Sequence, residues 1–157
     1  MTYKKKTWIE KLYDVKKGLP KVEKIKRNQE KIWGKGTIAI ATPLIVDEMM
    51  RSVPKGKVIT VNQLRERIAK KFNATIGCPI TTGIFSWIAA HAAEEMRALE
   101  KKDITPWWRT LKGEGFLNEK FPGGVEHQKK LPEKEGHKII ERGKKFFVED
   151  VLETQVV

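Results

Sequence analysis

Apolar positions along the chain fall into blocks of different period, separated by Gly and Pro. Between Lys4 and Lys31, Trp8 and Tyr13 sit among lysines and Gly18-Leu19-Pro20 interrupts them, which predicts a short helix, a turn and an extended or partly ordered segment. Gly34 and Gly36 precede the apolar run Thr37 to Ala41, a strand candidate. Thr42 then reads as the cap of a helix with Pro43 at its first position and Leu44, Val46, Met49, Met50 and Val53 along it. Pro54-Lys55-Gly56-Lys57 ends that helix. Val58 to Val61 is a short strand, and Asn62 is placed to cap a helix carrying Leu64, Ile68 and Phe72.

Asn73 to Gly77 breaks the pattern, and Pro79 opens the longest helix, to about Glu100, with Ile80, Ile84, Trp87, Ile88, His91 and Ala92 on one stripe. Helix, short strand, helix, turn and longer helix is the order of a helix-turn-helix variant, whose second helix would enter a major groove. Gly113, Gly115, Gly123, Gly124 and Pro122 predict a looped wing or hairpin over residues 110–124. Val125 to Glu135 reads as a last helix that Pro132 kinks or stops near Leu131, because proline removes a donor and clashes with the preceding turn. Lys144 to Val148 is a further strand candidate, and the tail to Val157 is expected to fray. The fold class this implies is mainly α with small β elements, winged-helix-like. The chain divides into a basic N-terminal extension (1–41), a folded domain (42–137) and a C-terminal tail with a short strand (138–157).

Composition narrows the partners. With 157 residues and 39% hydrophobic positions the chain can build one core. The net charge is +12, and residues 1–35 hold twelve Lys or Arg against four acidic residues. Such a stretch suits a polyanion, since each neutralised phosphate releases counterions; a solvated Lys-rich face has the same composition. The single cysteine, Cys78, excludes an intramolecular disulfide and a multi-cysteine zinc site. No N-terminal stretch reads as a signal peptide and no segment as a membrane span, so a cytoplasmic setting is expected; separately, the chain is expected to be a monomer. His91, His127 and His137 have no metal-ligand spacing, so neither a metal nor another cofactor is expected.

Four sequence elements, in one order, carry a family resemblance. Thr42-Pro43 leads to Val53-Pro54-Lys55-Gly56-Lys57-Val58-Ile59-Thr60, followed by Gln63-Leu64; then come Pro106-Trp107-Trp108-Arg109-Thr110, Gly123-Gly124-Val125 and Glu135-Gly136-His137. These resemble the Pro-x-Gly-Lys-Val-x-Thr strand, the Pro-Cys-His-Arg-Val active-site motif and the closing Gly-Gly-Leu and Glu-Gly elements of the methylated-DNA-protein-cysteine methyltransferases. The resemblance implies that family's DNA-binding, C-terminal-domain fold. In the family a thiolate takes the alkyl group from a flipped O6-alkylguanine. Trp107 stands at the cysteine position, as in the alkyltransferase-like subfamily, which binds alkylated guanine and passes it to other repair machinery. Trp108 stands at the histidine position, and of the thiol-activating network only Glu135 remains. The family's base-rotating Tyr aligns with Val61, and the Arg that fills the space of the flipped base aligns with Gly83.

The resemblance therefore implies a protein that binds duplex DNA, alkylated or not, with no alkyl transfer and with a repair protein as a further partner. Its lesion-pocket candidates are Trp107, Trp108, Arg109 and Glu135, with Trp107 lining the pocket and Trp108 in a core. Arg109 is expected to hold the active-site loop through nearby backbone, or else to pair with Glu114 or Glu119. DNA-contact candidates are Lys55, Lys57, Thr60, Gln63, Thr81, Thr82, Gly83, Ser86, Lys112 and Lys120. Two other readings stay open. One is a winged-helix interaction or regulatory module with no lesion pocket; the other is an enzyme using Cys78 or Glu135, for which no base, nucleophile and orienting group converge in the sequence.

Overall fold

The computed structural model describes residues 5–14 and 16–156, so the first four residues of the basic extension, Lys4 among them, and Val157 lie outside the described residues. Thr42 caps α3 (Pro43–Arg51) by accepting from the Ile45 N–H, and Pro43 costs nothing at the first position because its missing N–H would be unpaired there. The next helix, α4 (Val61–Lys71), starts two residues earlier than its pattern predicts. Thr60, not Asn62, is the cap, and Gln63 completes a capping box by accepting from the Thr60 N–H. The strand before it, β3, is thereby cut to Ile59–Thr60. Here α5 is Pro79–Ala98, with buried Cys78 as its cap.

The described residues before 42 pack on the rest of the chain. The helix α1 (Trp8–Tyr13) caps its own start with Thr7 and packs on α5 through Leu12, while Glu95 of α5 accepts from the Trp8 and Ile9 N–H groups. Strands β1 (Lys21–Lys24) and β2 (Thr37–Ile40) are antiparallel, joined across the short helix α2 (Glu30–Trp33). In turn β2 pairs in parallel with β4 (Ile76–Gly77), the turn between α4 and α5. The boundary expected at residue 42 coincides with no break in packing. Its signal was hidden because β1 is exposed at each position and lysine-rich, a composition that looks unfolded although its backbone is paired.

The main core lies between α1, α3, α4 and α5 and includes Val46, Met50, Leu64, Ile68, Phe85, Ala89, Ala92 and the fully buried Trp107. The inward face of α5 is the one with Phe85, Ser86, Ala89 and Ala93. Of the predicted stripe, Ile88 and Ala92 are buried, whereas Trp87 and His91 are half-buried and Ile80 and Ile84 face outward, 60% and 45% exposed. Small residues win the inner face because they let α3 and α4 approach closely.

No hairpin forms at residues 110–124. That stretch holds β5 (Thr110–Leu111), which pairs in parallel with β3, a one-turn 3-10 helix at Gly113–Gly115, and a loop. The hairpin lies further on, where β6 (Ile139–Arg142) pairs with β7 (Lys145–Val148) over a second core of Val58, Leu111, Leu117 and Val148. Pro132 splits the last predicted helix into α6 (Gly124–Gln128) and α7 (Lys130–Lys134), a turn before the proline, where the Gln128 carbonyl has lost its partner. The tail expected to fray is held. It forms α8 (Val151–Thr154), and Val58 exchanges backbone hydrogen bonds with Thr154 and Val156 at 3.0 and 2.8 Å.

Two glycines test which parts of this packing are obligatory. A Cβ on Gly77 would collide with the Arg65 backbone, whereas nothing lies within 4 Å of one on Gly83. Gly77→Ala is expected to cost at least about 2 kcal/mol, and Gly83→Ala, at a helix interior, to stabilise by about 0.5–1 kcal/mol. Thermal and urea unfolding of the two variants check both; equal destabilisation would contradict the packing described.

Candidate nucleic-acid interface

The motif residues Trp107, Trp108, Arg109 and Glu135 do come together, but as a structural joint. A one-turn 3-10 helix at Trp107–Arg109 follows α5, and β5 pairing with β3 fixes its far end. Arg109 donates from Nε and Nη2 to the Glu135 carboxylate, at 2.7 to 3.1 Å, and from Nη1 to the Val53 carbonyl at 2.6 Å. Trp108 Nε1 donates to the same carboxylate at 3.0 Å. Glu135 is thus the partner of Arg109, not Glu114 or Glu119; Glu119 pairs with Lys112 at 3.4 Å. The backbone carbonyl contact expected of Arg109 is present too, at the end of α3.

Burial would raise the Glu135 carboxyl. The Arg109 and Trp108 hydrogen bonds, the Arg109 charge and the Gly56 backbone N–H outweigh it, and the net shift is downward. Asp47, in α3, goes the other way. It is buried and its carboxyl is raised, although the Thr105 hydroxyl donates to it at 2.6 Å and Arg51 is 4.0 Å away.

Trp107 is fully buried, edge-on to Trp108 and Phe121, with Nε1 donating to Glu94 at 3.3 Å. The expectation that it lines an open pocket is corrected: an indole has two rings to bury, and the main core takes both. Trp108, expected in the core, is the half-buried one.

Several DNA-contact candidates are committed elsewhere. Thr60 is buried as a cap, and Gln63 serves the capping box while its Nε2 donates to the Val156 carbonyl. Thr82 and Ser86 are buried and donate to the Cys78 and Gly83 carbonyls, at 2.6 and 2.9 Å. Short hydroxyl side chains inside a helix bond back to their own turn, so residue type alone does not place them at a surface. Thr81 is partly exposed, with its hydroxyl oxygen buried and unpartnered. Lys55, Lys57 and Lys120 are exposed, and Lys112 is half-exposed.

What these placements leave open is a groove of about 450 Å³ beside the first half of α5. One wall is Ile80, Gly83, Ile84 and Trp87; the other is Asn118 and Glu119 of the loop, with Lys112 and Lys120 at its edge. Trp87 Nε1 and His91 Nε2 both donate to the Lys120 carbonyl at 3.1 Å, which pins the loop to the helix. From behind, Trp8 meets Trp87 edge-on at 4.6 Å and stacks on His91 at 4.5 Å. Sequence reading missed this site because Ile80, Ile84 and Trp87 look like core. The available signal was a competing stripe of Phe85, Ala89 and Ala93, equally apolar and better suited to close packing. Among the described residues no three His, Cys, Asp or Glu side chains form a group able to hold a metal ion. No described helix is long and apolar enough to cross a membrane.

The depressed Glu135 carboxyl gives a pH test. Its contribution is present above the unfolded carboxylate range and is lost as pH falls through the folded value. Glu135→Gln is therefore expected to cost about 3 kcal/mol near pH 7, since it strands the Arg109 charge, and much less near pH 3. Urea unfolding at both pH values reads this; an equal cost at both would mean that the ion pair does not hold the joint.

No family model matches the chain, and no curated protein matches it. Two solved structures do. The crystal structure of S. pombe Atl1 in complex with damaged DNA containing O6-carboxymethylguanine is 18% identical, with a TM-score of 0.49, over 71% of this chain and 91% of that one. A crystal structure of S. pombe ATL in complex with DNA is 17% identical, with a TM-score of 0.45, over 73% of this chain and 94% of that one.

Proposed function

We propose that this chain is a DNA-binding protein of winged-helix type that accepts an extruded base in the groove between α5 and the 110–124 loop, without transferring an alkyl group. The observation that carries the reading is the groove itself: an apolar wall with an indole, facing Asn118 and Glu119, rimmed by Lys112 and Lys120. A base needs that combination of a face to stack on, polar groups for its edge and cations for the phosphates beside it. The groove volume is in the range of small-ligand sites. Gly83, which the helix could replace with Ala at a gain in stability, keeps the floor open.

Magnitudes favour damaged over intact DNA. Extrusion costs a few kcal/mol for a paired base and least for a damaged or mispaired one, while stacking on an aromatic returns about 1–3 kcal/mol. Trp87 alone nearly balances the smaller cost and not the larger. Val61 and Gly83, at the family's Tyr and Arg positions, offer no side chain to drive extrusion, so selectivity would rest on how easily the base leaves the duplex. The basic composition supports the DNA reading, as does the ordered motif resemblance over residues 42–137. The tryptophan at the acceptor-cysteine position supports the absence of transfer, because an indole is no thiol nucleophile.

Fluorescence anisotropy with labelled duplexes, with and without one O6-methylguanine, tests the reading at low and near-physiological salt. The expected result is tighter binding of the modified duplex at both salts, with the preference lost in Trp87→Ala. Equal binding of both duplexes that collapses with salt would favour an interaction module with no lesion pocket, and no binding at low salt would sink the DNA reading altogether.

A further inference from the structure

A second basic concavity lies outside the groove. Lys24 at the end of β1, Arg27 in the following 3-10 turn, and Lys35 and Gly36 before β2 surround a hollow of about 510 Å³, with Glu30 as its acidic member. The three cations are exposed, and none has an ion-pair partner among the described residues; the nearby pair is Lys21 with Glu23. Three unpaired cations around one hollow repel one another, and a phosphate placed among them relieves that repulsion.

The hollow is tied to the turn that leads into α5. Gly36 lies against Thr75, where a Cβ would overlap the Thr75 hydroxyl oxygen, and Thr37 and Thr75 exchange N–H to Oγ1 hydrogen bonds at 3.0 and 3.1 Å. The Cys78 N–H donates to the Ala39 carbonyl at 2.9 Å, so the cap of α5 and the end of β2 move as one. Gly36 adjoins the α4–α5 turn, while Lys24 on β1, two strands from β4, sits roughly 10 Å from it. Along a duplex axis that offset spans about six phosphate charges, counting both strands.

We infer that Lys24, Arg27 and Lys35 form a second phosphate-binding site, which grips the DNA backbone beyond the stretch that α5 faces. The inference rests on the DNA-binding reading and adds a footprint to it. It assigns to the β1–β2 unit the uniform, salt-sensitive part of affinity, and leaves to the groove whatever distinguishes one base from another. An Arg and two Lys around a hollow fit phosphate oxygens from several directions, which suits a backbone and reads no sequence.

The experiment measures log K against log salt for an unmodified duplex of about 20 base pairs. The triple variant K24Q/R27Q/K35Q is compared with wild type and with the charge-matched variant K130Q/K134Q/K144Q, on α7 and the β6–β7 turn. All six positions are exposed, so circular dichroism should show both variants folded. The expected slope for K24Q/R27Q/K35Q is shallower than wild type by about two to three, at 0.9 per phosphate contact, while the control keeps most of the wild-type slope. A preference for a modified duplex, where wild type has one, should survive in the triple variant. An unchanged slope, or an equal loss in both triple variants, would overturn the second site while leaving the DNA reading intact. If wild type binds no duplex even at low salt, both fall together.

Discussion

One carboxylate holds the loop side of the molecule in place. Glu135, at the end of α7, accepts from Arg109 and Trp108 and is stabilised by the Gly56 N–H, while Arg109 also donates to the Val53 carbonyl just past α3. Four segments distant in sequence meet there: the end of α3, the 54–57 turn, the motif turn at 107–109 and the end of α7. Each alone is too short to order itself, because one turn of helix or two residues of strand cannot repay their conformational entropy. The partly buried, bidentate geometry supplies what they lack, and it fixes where the 110–124 loop departs. That departure point decides whether a groove exists beside α5.

Local signals were legible in the sequence. Thr42-Pro43 declared a helix start, Pro79 another, and Pro132 an interruption, because caps and proline act through backbone groups one turn away. Selection among equivalent local signals was not legible. Thr60 and Asn62 can both cap; Thr60 wins because β3 pairs with β5 fifty residues on and makes it the last extended residue. Arg109 had three carboxylates within reach in sequence, and folding chose the one 26 residues away. The β6–β7 hairpin and the docking of β1 and β2 depend likewise on partners that periodicity does not encode.

The face of α5 was the consequential ambiguity. This helix is apolar on more than one side, so its stripe at 80, 84, 87 and 91 and its stripe at 85, 89 and 93 both satisfy the helical period. Packing resolves it by volume. Alanines admit the neighbouring helices, and Ile80, Ile84 and part of Trp87 are left at the surface, where they cost solvation unless something covers them. The loop covers part of that surface through the Lys120 carbonyl and leaves the rest as a wall. The same choice turns Thr82 and Ser86 inward, which removes the hydroxyls that composition had offered to DNA.

Trp107 is a structural residue, fully buried in the main core. A thiol is small enough to stand at a pocket floor, whereas an indole at the same position is drawn into the core and fills it against Phe121 and Trp108. Its chemistry becomes structural, and the motif residues beside it follow: Arg109 and Glu135 satisfy each other instead of serving a reacting group. On the proposed DNA-binding reading, recognition falls to surfaces that this joint positions but does not line. The apolar wall of α5 and the unpaired cations of the β1–β2 unit are such surfaces. Both are referred to α5, one through its outer face and the other through its cap, so a duplex meeting both would be registered by a single rigid helix.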